Sequence, residues 1–177
     1  MSNIHACCSV PTASQDEKAI CPTCGEHGKP VAPETLRALL QSSSQGQVRD
    51  ETYRFCASAT CPVVYFLPGT SQTFVREDLT VRVGVKETSA PRPLCYCFGH
   101  SEESLHEEWM RTGKSTAVAT IQAAVKVGTC RCEVMNPQGN CCLGDVVKAL
   151  KALQASSSIP ELPDCCPPET DAPNPCC

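Results

Sequence analysis

Sixteen of the 177 residues are cysteines, and their spacing sorts them into three chemical groups. The first opens with Cys21-Pro-Thr-Cys24-Gly25 and is completed by Cys56 and Cys61 in FCASATC. A Cys-x-x-Cys turn followed by glycine has the shape of a zinc knuckle, because glycine lets backbone amides tip towards the sulfurs. Two such turns facing one another supply four thiolates, the closed tetrahedron that structural Zn²⁺ prefers. The competing chemistries are a disulfide and a thioredoxin-like redox pair at CPTC. The redox pair needs a strand leading into Cys21, which the sequence does not offer. His27 stands close enough to replace a ligand, but with four cysteines at hand it reads as an exposed turn residue.

The second group begins at Cys95 and Cys97, one tyrosine apart. These two cannot easily bridge each other, yet a turning backbone points both sulfurs at one iron. A [2Fe–2S] cluster needs four thiolates, two per iron. The remaining pair must then come from Cys130, Cys132, Cys141 and Cys142, across two helical segments. The third group is the vicinal pairs Cys7–Cys8, Cys165–Cys166 and Cys176–Cys177. A bridge between adjacent residues is strained, whereas flexible paired thiolates chelate soft ions such as Cu(I), Hg(II) or Cd(II). The alternative is that they are unselected tail residues.

Composition narrows the setting. A net charge of −4 and a pI near 5.6 argue against a nucleic-acid or anionic-membrane partner. No apolar run is long enough for membrane insertion. The opening MSNIHACCSVPTAS lacks a basic and then apolar leader, which points to a cytoplasmic product with reduced thiols. In that compartment many thiols are better explained as metal ligands than as disulfides. There is no phosphate loop, no Ser/His/Asp constellation and no pair of acids in an apolar setting, so nothing calls for an enzyme.

The elements that must position the thiols can be read from periodicity. Residues 1–17 read as a flexible tail and 18–90 as a small β unit. PETLRALLQ is a helix with Pro33 in its first turn and Leu36, Leu39 and Leu40 on one face. SSSQGQ reads as a loop, YRFCASATCPVVYF as strand, turn and strand, and 73–85 as one further strand ending near Gly84. ETSAPRPL reads as a linker. From 91 to 154 the chain is expected to be helical: Ser101 caps EESLHEEWMRTG, which stops at Gly113. Ser115 caps TAVATIQAAVKVG, and DVVKALKAL closes the unit. TCRCEVMNPQGNCCLG reads as loop. His100, His106 and the acidic run EESLHEE read as solvated, and 155–177 as a disordered Ser/Pro-rich tail. The helix starting after Ser101 is expected to aim its first amides at the thiols of Cys95 and Cys97. The class is therefore α+β.

Two stretches together carry a family resemblance. CYCFGHSEESL, KVGTCRC and NPQGNCCLG resemble the [2Fe–2S] domain of bacterioferritin-associated ferredoxin. The span 18–153, with CPTCGEHGKPV and YRFCASATCPVVYF, resembles the N-terminal domain of the CopZ-type copper chaperones, which joins a zinc-binding unit to such a [2Fe–2S] unit. The resemblance implies zinc on Cys21, Cys24, Cys56 and Cys61, and a cluster on Cys95, Cys97 and two of the four loop cysteines. Family spacing favours Cys132. The apolar helix that starts after Cys142 favours that residue as the last ligand, with Cys130 and Cys141 as alternates. Chaperones of this type continue into a domain with a Met-x-Cys-x-x-Cys copper loop; no such loop occurs here, so delivery by that domain is not carried over. The implied function is metal handling, copper or another soft metal, with the cluster transferring one electron. The implied partners are metal ions, a metal-transporting ATPase or a redox protein. The alternative is an electron-transfer ferredoxin docking on a reductase or storage protein.

Overall fold

The computed structural model describes residues 19–157; the three vicinal cysteine pairs lie outside them. The class is α+β, a small antiparallel sheet followed by several helices. The sheet has the order β1 (Lys29–Val31), β2 (Tyr53–Phe55), β3 (Val63–Phe66), β4 (Thr73–Val75), every neighbour antiparallel. Helix α1 (Pro33–Leu39) crosses between β1 and β2, followed by the single turn α2 (Ser42–Gln45). The outer residues of YRF, Tyr53 and Phe55, and the fully buried strand VVYF, through Val64 and Tyr65, pack against Leu36, Leu40 and Phe74. Rings pack tilted, Tyr53 on Phe74 at 6.0 Å and Phe55 on Tyr65 at 6.1 Å between centroids.

The second half packs α3 (Glu102–Thr112), α4 (Ala117–Lys126), α5 (Cys132–Met135) and α6 (Leu143–Ser157) around Leu105, Ile121, Val146 and Leu150. It is entered through a short ribbon, β5 (Pro93–Cys95) against β6 (His100–Ser101), whose turn contains Cys97. Ser101 caps α3 as expected: its Oγ accepts from Ser104 N at 3.1 Å while Ser104 Oγ accepts from Ser101 N at 2.9 Å. Gly113, at φ 66°, ends it in the left-handed conformation glycine tolerates.

Several expectations are corrected. SSSQGQ contains a helical turn, and the cysteine-rich loop contains α5; one-turn helices leave no periodicity to read. Lys29–Val31 is a strand, hidden by its proline. The strand expected over 73–85 stops at Val75, where 3₁₀ turns at Arg76–Asp78 and Gly84–Lys86 replace it. The linker is partly strand β5. Thr116, not Ser115, is the N-cap of α4, and its backbone amide goes to the Glu108 carboxylate at 3.0 Å.

Candidate metal centres

Local geometry builds the first thiol set. The Cys21–Cys24 turn is closed by Gly25 N donating to Cys21 O at 2.9 Å and Cys21 N to Glu26 O at 2.8 Å. Gly25 sits at φ 75°, and a bridge between Ile20 and His27 clamps the base of the turn. Cys56 continues strand β2, its amide donating to Val64 O at 2.9 Å, and Cys61 leads into β3. Because β1 pairs with β2, the knuckle is laid beside this hairpin. Cys21 Sγ lies 3.9 Å from Cys61 Sγ, and Cys24 Sγ 3.5 Å from Cys56 Sγ. All four sulfurs fall within 4.8 Å of one another. Four Zn–S bonds of about 2.3 Å in a tetrahedron separate the sulfurs by about 3.8 Å, so the donor set fits zinc in number, type and spacing. His27 is exposed and outside the set.

The surroundings act on these thiols in opposite directions. Backbone amides two residues on reach three sulfurs: Glu26 to Cys24, Ser58 to Cys56 and Val63 to Cys61. Burial opposes ionisation of Cys24, but the Glu26 amide and the thiols of Cys56, Cys21 and Cys61 outweigh it and bring Cys24 down to about 7. Burial pushes Cys56 up to about 12 and raises Cys61. Sequence reasoning missed Lys86. Fully buried, it donates from Nζ to Ser58 O at 2.7 Å and Cys61 O at 3.0 Å. Burial lowers its pKa, while charge on Cys56 and Cys61 favours the ammonium. In RVGVK nothing but an apolar run around a lysine hinted at this.

The second set gathers five sulfurs, not four. Cys95 is buried and hydrogen-bonded to Cys142, which is also buried and stands immediately before α6. Cys142 Sγ lies 3.7 Å from Cys132 Sγ, and Cys132 Sγ lies 3.7 Å from Cys97 Sγ. Cys130 Sγ is 3.3 Å from Cys132 Sγ, whereas Cys141 is exposed and joins no sulfur set among the described residues. The bond from Cys142, helped by the Phe98 and Cys97 amides and opposed by burial, lowers Cys95 to about 6 and raises Cys142. Burial pushes Cys132 up to about 12 and raises Cys97. The amides of Arg131 and Cys142 reach the sulfurs of Cys97 and Cys132. Cys95, Cys97, Cys132 and Cys142 thus offer the number and type of donors that a [2Fe–2S] cluster takes. Helix α3 does not serve them as expected: its first amides go to Arg92 O and Ser101 Oγ.

The loop between Cys132 and Cys142 is held by Asn136, another residue missed in the sequence. Buried, it accepts from Gln138 N at 3.1 Å and donates to Asn140 O at 2.8 Å. The two halves meet at Tyr65, whose hydroxyl donates to Pro137 O at 2.9 Å, and at Tyr96. The Tyr96 hydroxyl, between the two cysteines, accepts from Gly84 N and donates to Arg82 O, each at 2.9 Å.

A family model described as the CopZ zinc binding domain matches residues 18–80. The copper chaperone CopZ of Archaeoglobus fulgidus is 37% identical over 122 residues, 69% of this chain and 57% of the chaperone. The X-ray structure of the CopZ N-terminal domain of that organism superposes with a TM-score of 0.61 at 33% identity, covering 73% of this chain and 95% of that domain. This chain belongs to the CopZ N-terminal-domain family. The match to the zinc binding domain spans Cys21, Cys24, Cys56 and Cys61. The aligned region spans little more than half the length of the full-length CopZ relative. No helix among the described residues is long and apolar enough to cross a membrane.

Proposed function

We propose that this CopZ-family chain is a cytoplasmic, non-enzymatic handler of soft metal, copper foremost. In it, residues 18–90 hold a structural zinc on Cys21, Cys24, Cys56 and Cys61. Residues 91–154 hold a [2Fe–2S] centre on Cys95, Cys97, Cys132 and Cys142. The observation that carries this reading is the convergence of the second thiol set beside a complete first one, in a chain whose relative is a copper chaperone.

When bound, the cluster would supply one electron, enough to take Cu(II) to Cu(I). The chain's own residues do the rest. Cys95 and Cys142, buried in the helical core, exclude water from one side of the centre. The Phe98, Arg131 and Cys142 amides offset thiolate charge. Cys97 is only half-buried and offers the short route for an electron in or out. A redox protein supplies the electron. The tail pairs Cys7–Cys8, Cys165–Cys166 and Cys176–Cys177 hold the reduced ion, and a metal-transporting ATPase receives it.

Metal analysis of protein purified without oxygen and without added metal tests the reading. Two irons and one zinc per chain are expected. Zinc without iron removes the electron-transfer part, and a chain free of both metals overturns the whole.

A further inference from the structure

Four thiolates complete a [2Fe–2S] donor set, and a fifth sulfur is already in contact with it. Cys130 Sγ approaches Cys132 Sγ at 3.3 Å, closer than Cys97 or Cys142 does, both at 3.7 Å. Cys97, Cys130 and Cys132 place their sulfurs within 4.8 Å of one another. Three metal–sulfur bonds of about 2.3 Å in a plane need sulfurs about 4 Å apart. The array is also graded by depth. Cys95 and Cys142 are 1% and 0% exposed, while Cys97 and Cys130 are half-buried. Three thiolates without a fourth donor do not close a zinc tetrahedron, but all-thiolate sites select soft monovalent copper.

We propose that Cys97, Cys130 and Cys132 form a three-thiolate site for Cu(I), separate from the tail pairs and sharing two sulfurs with the iron centre. Loading moves no electron: three thiols give up three protons and three Cu–S bonds form. Because Cys97 and Cys132 serve both sites, copper and the cluster exclude one another. Cys130 is the residue that converts a cluster edge into a copper site. The exclusion rests on the proposed iron centre; the copper site itself does not.

The test uses the full chain with Cys7, Cys8, Cys165, Cys166, Cys176 and Cys177 changed to serine, alone and with Cys130→Ser or Cys141→Ser. Zinc-loaded, iron-free protein is titrated with Cu(I) under nitrogen against a chromophoric Cu(I) chelator, with a zinc dye present and circular dichroism as a check on folding. One tightly held Cu(I) per chain is expected, with three sulfur neighbours by X-ray absorption and no zinc release. Cys130→Ser should weaken it at least tenfold and leave two sulfur neighbours, while Cys141→Ser should change nothing. Equal affinity in Cys130→Ser, or copper entering by expelling zinc, overturns the site. A Cys130→Ser chain that has lost its fold is replaced by Cys130→Ala, judged the same way. In iron-loaded protein, one equivalent of Cu(I) should bleach the cluster, and Cys130→Ser should hold its iron to about tenfold more copper; equal loss in both overturns the exclusion. Protein that never carries iron refutes the proposed cluster and leaves the copper titration to decide on its own.

Discussion

At the scale of single residues, the first thiol set has a buried cation beside it that is not among the candidate ligands. Four thiolates around Zn²⁺ leave two surplus negative charges, and the buried ammonium of Lys86 stands against two of the cysteines that carry them. Lys86→Met keeps the volume but leaves the Ser58 and Cys61 carbonyls without their donor. The expected cost is about 1–3 kcal/mol for the stranded acceptors. The readout is zinc competition with a chelator: the variant should surrender zinc at lower chelator concentration, and unchanged competition would show that Lys86 only fills space. Cys24 differs from its three partners in being exposed and in titrating near neutrality.

At the scale of elements, α3 and α4 are joined by one carboxylate. Glu108 accepts from Ser115 Oγ at 2.7 Å, Thr116 N at 3.0 Å and Thr116 Oγ1 at 2.8 Å. It thereby caps the helix that buries Ile121. Those hydrogen bonds, the Ser115 hydroxyl first, hold its carboxyl below the ordinary 4.5. A depressed carboxyl stabilises the fold fully above its unfolded value, and the contribution fades as pH falls through the lower folded value. Glu108→Ala should cost about 1 kcal/mol near neutrality, and its deficit against the native chain should shrink below about pH 4.5. Denaturant midpoints of both chains at matched pH read this directly, and a deficit constant with pH would refute the capping role.

These elements were unequally legible in the sequence. YRF alternates about its arginine, VVYF is a short run of β-branched and aromatic residues, and Ser101 and Gly113 punctuate α3, so local chemistry was enough. The four thiols of the first set follow from two short motifs. The second set was only half readable: Cys95 and Cys97 declare themselves, but the loop thiols that join them depend on a turn held by Asn136 and on α5, which is too short to show a period. Lys86 was invisible, because its partners are 25 and 28 residues away and burial is a tertiary fact.

At the scale of the whole molecule, the two halves meet with almost no slack. A Cβ on Gly84 would stand 1.8 Å from Pro93 O, a backbone atom that cannot yield cheaply. Gly84→Ala should therefore prise β5 from the 3₁₀ turn at Gly84–Lys86, at a cost of about 1–3 kcal/mol as for other overpacked sites. Zinc content should hold while iron content drops, since β5 carries Cys95. Proportional loss of both metals would mean instead that the chain unfolds as one body.

The same seam ties the supply of one element to that of another. Tyr96, flanked by two thiols of the second set, hangs from Gly84 and Arg82, and Lys86 two residues along grips Cys61 of the first. On the proposed reading, the first half must be knit by its own ion before the second has a wall to build against. Zinc and iron are then not independent nutrients for this chain: scarcity of zinc withholds iron too, whereas scarcity of iron leaves the zinc half in place.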